Sequence, residues 1–183
     1  MSAPSPAWRP DGPERADSCI DPRAFRNAVG LFATGVVIVT VGGLDGRPVG
    51  LTANSFASVS LDPPLVLWSL AKKSANRGNF LQAPGFAIHV LGRDQLSLAQ
   101  RFASPTGERF SGLEFDVGPT GAPLLSQYSA RLECRTFSMV DAGDHDIFIG
   151  RVIGMNVQSE TKEPLIFHQG QFVALDPVRP RSP

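Results

Sequence analysis

Residues 36–51 read Val36-Val37-Ile38-Val39-Thr40-Val41-Gly42-Gly43-Leu44-Asp45-Gly46-Arg47-Pro48-Val49-Gly50-Leu51. Branching at Cβ favours the extended backbone, so Val36 to Val41 predicts a strand. Gly42-Gly43 ends it, Asp45-Gly46 supplies a turn, and Val49 to Leu51 resumes extended structure, which together predict a hairpin. Upstream, Asp21 is suited to cap a helix that has Pro22 at its first position. Phe25, Ala28, Val29 and Phe32 fall at helical spacing on one apolar face, with Gly35 as the C-terminal stop. That face needs something to dock on.

Downstream, Leu65 to Leu70, Phe86 to Leu91 and Ile147 to Val157 read as strands, and Leu165 to Phe167 with Gln171 to Leu175 finish the sheet. Arg131, Glu133 and Arg135 alternate with Leu132 and Cys134, but Phe137 and Met139 take the opposite parity. A bulge near Thr136 accounts for the switch. Two short helices are predicted, one from a Ser74 cap to Phe80, the other from an Asp94 cap to about Ser104 with Leu96, Ala99, Phe102 and Ala103 on one side. Gly107 to Gly121 reads as a turn-rich loop. Strands dominate and are joined mostly by short turns, so the fold class is mainly β, an antiparallel barrel with a few covering helices rather than a doubly wound parallel sheet.

The 183 residues include 17 Lys+Arg and 17 Asp+Glu, a net charge of zero, which disfavours nucleic-acid binding. Hydrophobic residues make up 42% and charged ones 19%, which excludes wholesale disorder. No apolar run approaches the roughly 18 residues of a membrane-spanning helix. Met1 to Cys19 is rich in Pro and charge and does not read as a secretory leader. We therefore expect an N-terminal arm over 1–20, one domain over 21–176 and a tail over 177–183. Two cysteines, Cys19 and Cys134, do not make a disulfide framework and are compatible with the reducing cytoplasm. His89, His145 and His168 lack the spacing of a metal site. Neither common nucleotide fingerprint nor a nucleophile elbow occurs.

Three segments could carry chemistry. Gly50-Leu51-Thr52-Ala53-Asn54-Ser55-Phe56-Ala57-Ser58-Val59-Ser60 concentrates short hydroxyl and amide side chains in an uncharged loop after a strand. Such a loop suits a phosphate or the edge of a planar heterocycle, or it bonds its own backbone as an ordinary turn. Lys72-Lys73-Ser74-Ala75-Asn76-Arg77 offers cations and a hydroxyl for an anion, or is a solvated basic turn. Gly143-Asp144-His145-Asp146 puts a histidine between two carboxylates at a barrel rim, or is an idle hairpin turn. His89, mid-strand, reads as a packed residue, and Cys134 as a small core residue.

Taken in order, the chain from Phe25 to Leu175 resembles the flavin reductase-like, FMN-binding split-barrel family. The resemblance rests on Phe25-Arg26, Ala33-Thr34-Gly35-Val36, Gly50 to Phe56, Ser58-Val59-Ser60, Pro63-Pro64-Leu65, Lys73-Ser74, the Leu98-to-Phe102 helix, Gly143-Asp144-His145 and Pro164-Leu165-Ile166-Phe167. It implies an NAD(P)H:flavin oxidoreductase, a homodimer with flavin sites near the subunit interface. Such an enzyme moves a hydride from NADH, or NADPH, to FMN or FAD and supplies reduced flavin to a partner monooxygenase. By resemblance, Thr52, Ala53, Asn54 and Ser55 hold the flavin, Ser69, Leu70, Ala71 and Ser74 line the same site, Phe102 borders the flavin tail, and His145 lies near the nicotinamide. Phe167 stands where relatives often carry Tyr, and Ala75-Asn76 replaces hydroxyl residues common after Lys-Ser. Hydride transfer between these two rings needs no protein acid or base, so a missing triad fits the reading. A flavin-binding or storage module, an enzyme with tightly held FMN and another acceptor, and a plain protein-binding barrel are the alternatives.

Overall fold

The computed structural model describes residues 20–105, 108–159 and 163–175. The expected arm, apart from Ile20, and the tail over 177–183 lie outside the described residues, as does Cys19. The chain opens with α1 (Pro22–Gly30), whose first turn is closed by Asp21 Oδ1 accepting the Ala24 N–H at 2.7 Å. Strands β1 (Thr34–Gly35), β2 (Val37–Gly42), β3 (Pro48–Ala53), β4 (Ala57–Leu61) and β5 (Pro64–Ala71) follow. After α2 (Arg77–Gln82) come β6 (Gly85–Val90), a 3-10 turn (Arg93–Gln95) and α3 (Leu96–Ala103). The remainder is β7 (Phe115–Val117), β8 (Pro123–Leu125), the long hairpin β9 (Ala130–Ala142) and β10 (His145–Val157), then β11 (Ile166–His168) and β12 (Gln171–Val173).

Seven strands form one antiparallel sheet in the order β3-β2-β6-β9-β10-β5-β4. Its two edge strands, β3 and β4, are neighbours in sequence, separated by Asn54-Ser55-Phe56 alone. Laid flat, six inter-strand steps would hold those edges about 29 Å apart. The four Cα steps from Ala53 to Ala57 can span only about 14 Å. The sheet therefore curls until its edges nearly meet, and this short link is the seam of a split barrel. The predicted loop over Gly50 to Ser60 is corrected accordingly: it is the end of one edge strand, a three-residue link, and the other edge strand.

The core explains the apolar run from Val36 to Val39 at the start of β2. Val37, Val39 and Val41 face the barrel interior with Trp68, Phe86, Ile88 and Phe148, while Val36 and Ile38 face a second cluster under α3 with Leu98, Ala99 and Phe102. Both faces are buried, so alternation has no reason to appear. The expected bulge is present: Ile149 pairs with Ser138 and Gly150 with Thr136, leaving Phe137 as the extra residue.

Several expected boundaries change. Helix α1 ends at Gly30, closed by Leu31 and Phe32 N–H groups bonding back to Ala28 and Val29, and Gly35 sits in β1 opposite Ile166. Helix α2 is capped by Asn76, not Ser74, whose Oγ accepts the Asn76 N–H at 3.3 Å. Asp94 lies inside the 3-10 turn, where Gln95 Oε1 caps the Gly92 N–H at 2.8 Å. Leu98, not Leu96, completes the buried face of α3. Strand β11 pairs with β1 and β12 with β11 in a separate three-stranded sheet, and β7, inside the stretch read as loop, pairs with β8 just beyond it.

Among the described residues nothing covers the apolar surface of α1 and the turn after it: Phe25, Val29, Leu31 and Phe32 are 57%, 52%, 62% and 77% exposed. Phe137, Met139, Ile153, Met155 and Val157, on β9 and β10, are exposed as well.

Candidate functional site

The seam that closes the barrel also makes a hollow. From β3 and the link come Thr52, Ala53, Asn54 and Ser55, and from β5 and the turn after it come Ser69, Leu70, Ala71 and Ser74. Phe102 enters from α3 and His145 from the start of β10. All ten residues singled out in the sequence line one cavity of about 550 Å³, a size within the usual range for small-ligand sites. Lys73, Asn76 and Arg109 join them, and among the described residues no carboxylate lines the cavity.

Two of the hydroxyls are already engaged. Thr52 Oγ1 donates to the Ala99 carbonyl at 2.6 Å and ties β3 to α3. Ser55 Oγ accepts the Ser69 N–H at 2.9 Å and donates to the Ser69 carbonyl at 3.2 Å, clasping the seam onto β5. These side chains shape the cavity rather than reach freely into it. The Asn54 side-chain amide makes no hydrogen bond among the described residues and is exposed. Lys72 is drawn away to Asp141 at 2.7 Å, which leaves Lys73 as the lysine on the cavity.

His145 is set by the hairpin before it. Gly143, at φ 65°, takes the left-handed conformation that a side chain would resist. The Asp144 carbonyl accepts the Lys72 N–H at 2.8 Å, so turn and strand are locked together. His145 Nδ1 lies 2.7 Å from Asp144 Oδ1, and this hydrogen bond holds the Asp144 carboxyl below its ordinary range. The expectation of two flanking carboxylates needs correction. Strand alternation turns Asp146 to the other face. There Arg77 grips it with two bonds, at 2.6 and 3.1 Å, and lowers its pKa. That pair fastens α2 to β10 and thereby fixes the Lys73-to-Asn76 turn.

Sequence reasoning missed Arg109. Its Nη1 donates to the Gly50 carbonyl at 2.7 Å, and its Nε and Nη2 to the Ser104 carbonyl at 3.2 and 2.5 Å. Partial burial lowers its pKa, yet a guanidinium keeps its charge. A lone Arg in a turn-rich stretch carries no spacing signal; only the fold brings it to β3. It also changes the expected electrostatics, because the uncharged link sits in a cavity with Lys73 and Arg109 on its wall. Gly50 is needed beside it: a Cβ there would lie 2.7 Å from Phe102 Cε1 and 3.2 Å from Phe110 Cζ.

His89 and Cys134 take no part. Both are fully buried, and burial pushes the Cys134 thiol up to about 12. Among the described residues, no three His, Cys, Asp or Glu side chains gather into a metal site.

Short polar groups, two cations, an apolar wall of Leu51, Leu70 and Phe102, and no acid make a cavity suited to a planar ring carrying a phosphate. Comparison with known proteins agrees. Residues 29–176 match the model of the flavin reductase like domain, and the chain belongs to that family. It is 47% identical over 150 residues, 82% of this chain and 84% of the relative, to an FMN reductase (NADH) of Agrobacterium fabrum. To the reductase subunit of a flavin-dependent monooxygenase from Rhodococcus jostii it is 38% identical over 167 residues, covering 91% and 84%. Against some other relatives it spans about half their length, for example 42% of a trigonelline monooxygenase reductase component from Acinetobacter baylyi. The crystal structure of a Streptomyces globisporus NADH:FAD oxidoreductase in complex with NAD and FAD fragments superposes with a TM-score of 0.79 at 37% identity, covering 88% of this chain and 99% of that one.

Proposed function

We propose that the protein is an NADH:flavin oxidoreductase that reduces FMN or FAD and passes the reduced flavin to a partner monooxygenase. The observation that carries this reading is the convergence of ten residues, from four separate parts of the chain, on one acid-free cavity at the barrel seam. Family membership supports the chemistry, and the oxygenase partner is supported by relatives that are reductase components of flavin-dependent monooxygenases.

When bound, the flavin supplies the hydride-accepting ring, and the protein supplies orientation and electrostatics. Lys73, Ser74 and Arg109 hold the phosphate, where two cations offset its charge. Asn54 offers an unpaired amide to the ring edge, and the Ser55 clasp keeps the link in place beneath it. Phe102 and Leu70 give the apolar surface that excludes water. His145, oriented through Asp144, presents its other ring nitrogen to the incoming nicotinamide. No residue here is asked to move a proton.

The exposed apolar faces of α1 and of the β9–β10 hairpin support a homodimer, since patches of this kind mark subunit contacts. Among the described residues no helix is long and apolar enough to cross a membrane. We place the enzyme in the cytoplasm, where NADH is supplied; cell fractionation tests this.

The test is direct. Protein, NADH and free FMN or FAD are mixed and absorbance at the nicotinamide band is followed. Catalytic loss of NADH that depends on added flavin is expected, and its absence with both flavins overturns the reading. His145→Ala should raise KM for NADH more than for flavin, and equal effects on both would remove His145 from the nicotinamide side.

A further inference from the structure

A pair of charges outside the cavity joins two elements that line it. Arg77 is the first residue of α2, directly after the Lys73-to-Asn76 turn, and Asp146 follows His145 on β10. Neither residue lines the cavity. The Asp146 side chain is 8% exposed, and its two oxygens accept from Arg77 Nε at 2.6 Å and Nη2 at 3.1 Å. Two bonds from one planar guanidinium fix direction as well as distance, which an ammonium on a flexible stem does not.

This inference rests on the proposed function, in which the turn holds the flavin phosphate and His145 meets the nicotinamide. The turn is anchored to the β9–β10 hairpin at both ends. Before Lys73, the Lys72 N–H donates to the Asp144 carbonyl at 2.8 Å, and Lys72 Nζ donates to Asp141 Oδ1 at 2.7 Å. After Asn76, Arg77 grips Asp146. Two of these anchors, Asp144 and Asp146, flank His145 in the chain. The bonds inside the turn are local: the Ser74 N–H donates to the Ala71 carbonyl at 2.9 Å, the Asn76 N–H to Ser74 Oγ at 3.3 Å and the Arg77 N–H to the Ser74 carbonyl at 3.1 Å. They set the shape of the turn and leave its place relative to β10 to the anchors. We propose that Arg77 and Asp146 are positioning residues, whose fork holds the Lys73-to-Asn76 turn in register with His145 and so keeps the phosphate grip and the nicotinamide side at a fixed separation.

A pair that merely stabilises the fold has to be told apart from one that positions. Riboflavin lacks only the phosphate of FMN, so the ratio of their dissociation constants reads the grip of the turn. Both are measured by fluorescence quenching for the wild type, for Arg77→Lys, which keeps the charge and loses the fork, and for the double variant Arg77→Met with Asp146→Leu. Exchange of a buried ion pair for apolar side chains commonly keeps stability, so the double variant separates position from stability. The wild type is expected to prefer FMN. Arg77→Lys should raise Kd for FMN about tenfold and hold that for riboflavin within about twofold, as for the loss of one charge-assisted contact to the phosphate. Unchanged riboflavin binding also shows that the variant folds. At saturating flavin its KM for NADH should rise severalfold, because the same fork seats His145. The double variant should melt at or above the wild-type Tm and still lack the preference for FMN. A preference left intact in Arg77→Lys, a preference that returns with Tm in the double variant, parallel losses for both flavins, or an unchanged KM for NADH each overturns the proposal. Equal wild-type affinities for riboflavin and FMN overturn it too, and flavin-dependent loss of NADH then leaves the reductase reading standing. A wild type that consumes no NADH with either FMN or FAD brings down both.

Discussion

His89 should set the pH dependence of stability, and the structure says by how much. It is fully buried between β2 and β8. The Leu125 N–H can only donate, so His89 Nε2, 3.0 Å away, must present its lone pair. Nδ1 then carries the hydrogen and donates to the Ile38 carbonyl at 3.2 Å. A second proton would have to sit on Nε2, facing another N–H, in a fully buried site. Burial is the main cause that lowers the pKa to about 4, the Ile38 bond opposes it, and the Arg131 charge adds to it. In the unfolded chain the group titrates near 6.5. The sign follows: between those values the unfolded state binds a proton that the native state refuses, so stability falls as pH falls. At 1.36 kcal/mol per pH unit the loss is about 2 kcal/mol at pH 5 and approaches about 3 kcal/mol near pH 4. Carboxylates held low in the native state, Asp144 and Asp146, add their loss only below about pH 4, so the window belongs to His89. Urea unfolding from pH 7.5 to 4.5, at fixed protein concentration, reads the slope, and His89→Gln, which keeps a donor and an acceptor, should flatten it. A wild type whose stability is level across that window, or a variant with the wild-type slope, would refute the reasoning.

Two substitutions probe the seam and the outer faces. Ser55→Ala leaves the Ser69 N–H without its partner and should cost about 1 kcal/mol of stability while also weakening flavin binding; lost affinity with an unchanged Tm would make Ser55 a direct ligand contact instead. Phe32→Glu places a charge in the exposed apolar surface just after α1 and should turn a dimer into a monomer in sedimentation velocity, whereas a monomeric wild type would dismiss the interface.

Local chemistry made much of this legible. The Asp21-Pro22 start, the Asp45-Gly46 hairpin and the parity switch at Phe137 each depend on residues within a few positions of one another, and each reads correctly. What failed depends on distance. Ala57–Leu61 carries hydroxyls and reads as loop, yet it is an edge strand because β5 lies beside it. Leu165 to Leu175 reads as more of the main sheet, but its partner is the two-residue β1. The ten site residues were assigned through the family resemblance, because the residues alone marked three segments, Gly50 to Ser60, Lys72 to Arg77 and Gly143 to Asp146, and gave no reason to join them or to add Ser69, Leu70, Ala71 and Phe102. Arg109 was missed because its only qualification is a contact with Gly50, 59 residues away.

The engaged hydroxyls bear on how the enzyme works. A reductase that serves a separate oxygenase has to release its product each turnover, so its grip on the ring must be modest. Had Thr52 and Ser55 been free, each could add a buried hydrogen bond to the ligand, worth about 1 kcal/mol and about fivefold in residence time. They are committed to Ala99 and Ser69 instead, which leaves the affinity to Lys73, Arg109 and an exposed amide. Charge at a partly open site is screened by salt. The expected consequence is exchange of flavin at every turnover, with sequential steady-state kinetics and a flavin KM that rises with ionic strength. Ping-pong kinetics on one retained flavin, indifferent to salt, would show that the ring is held by contacts this cavity does not offer.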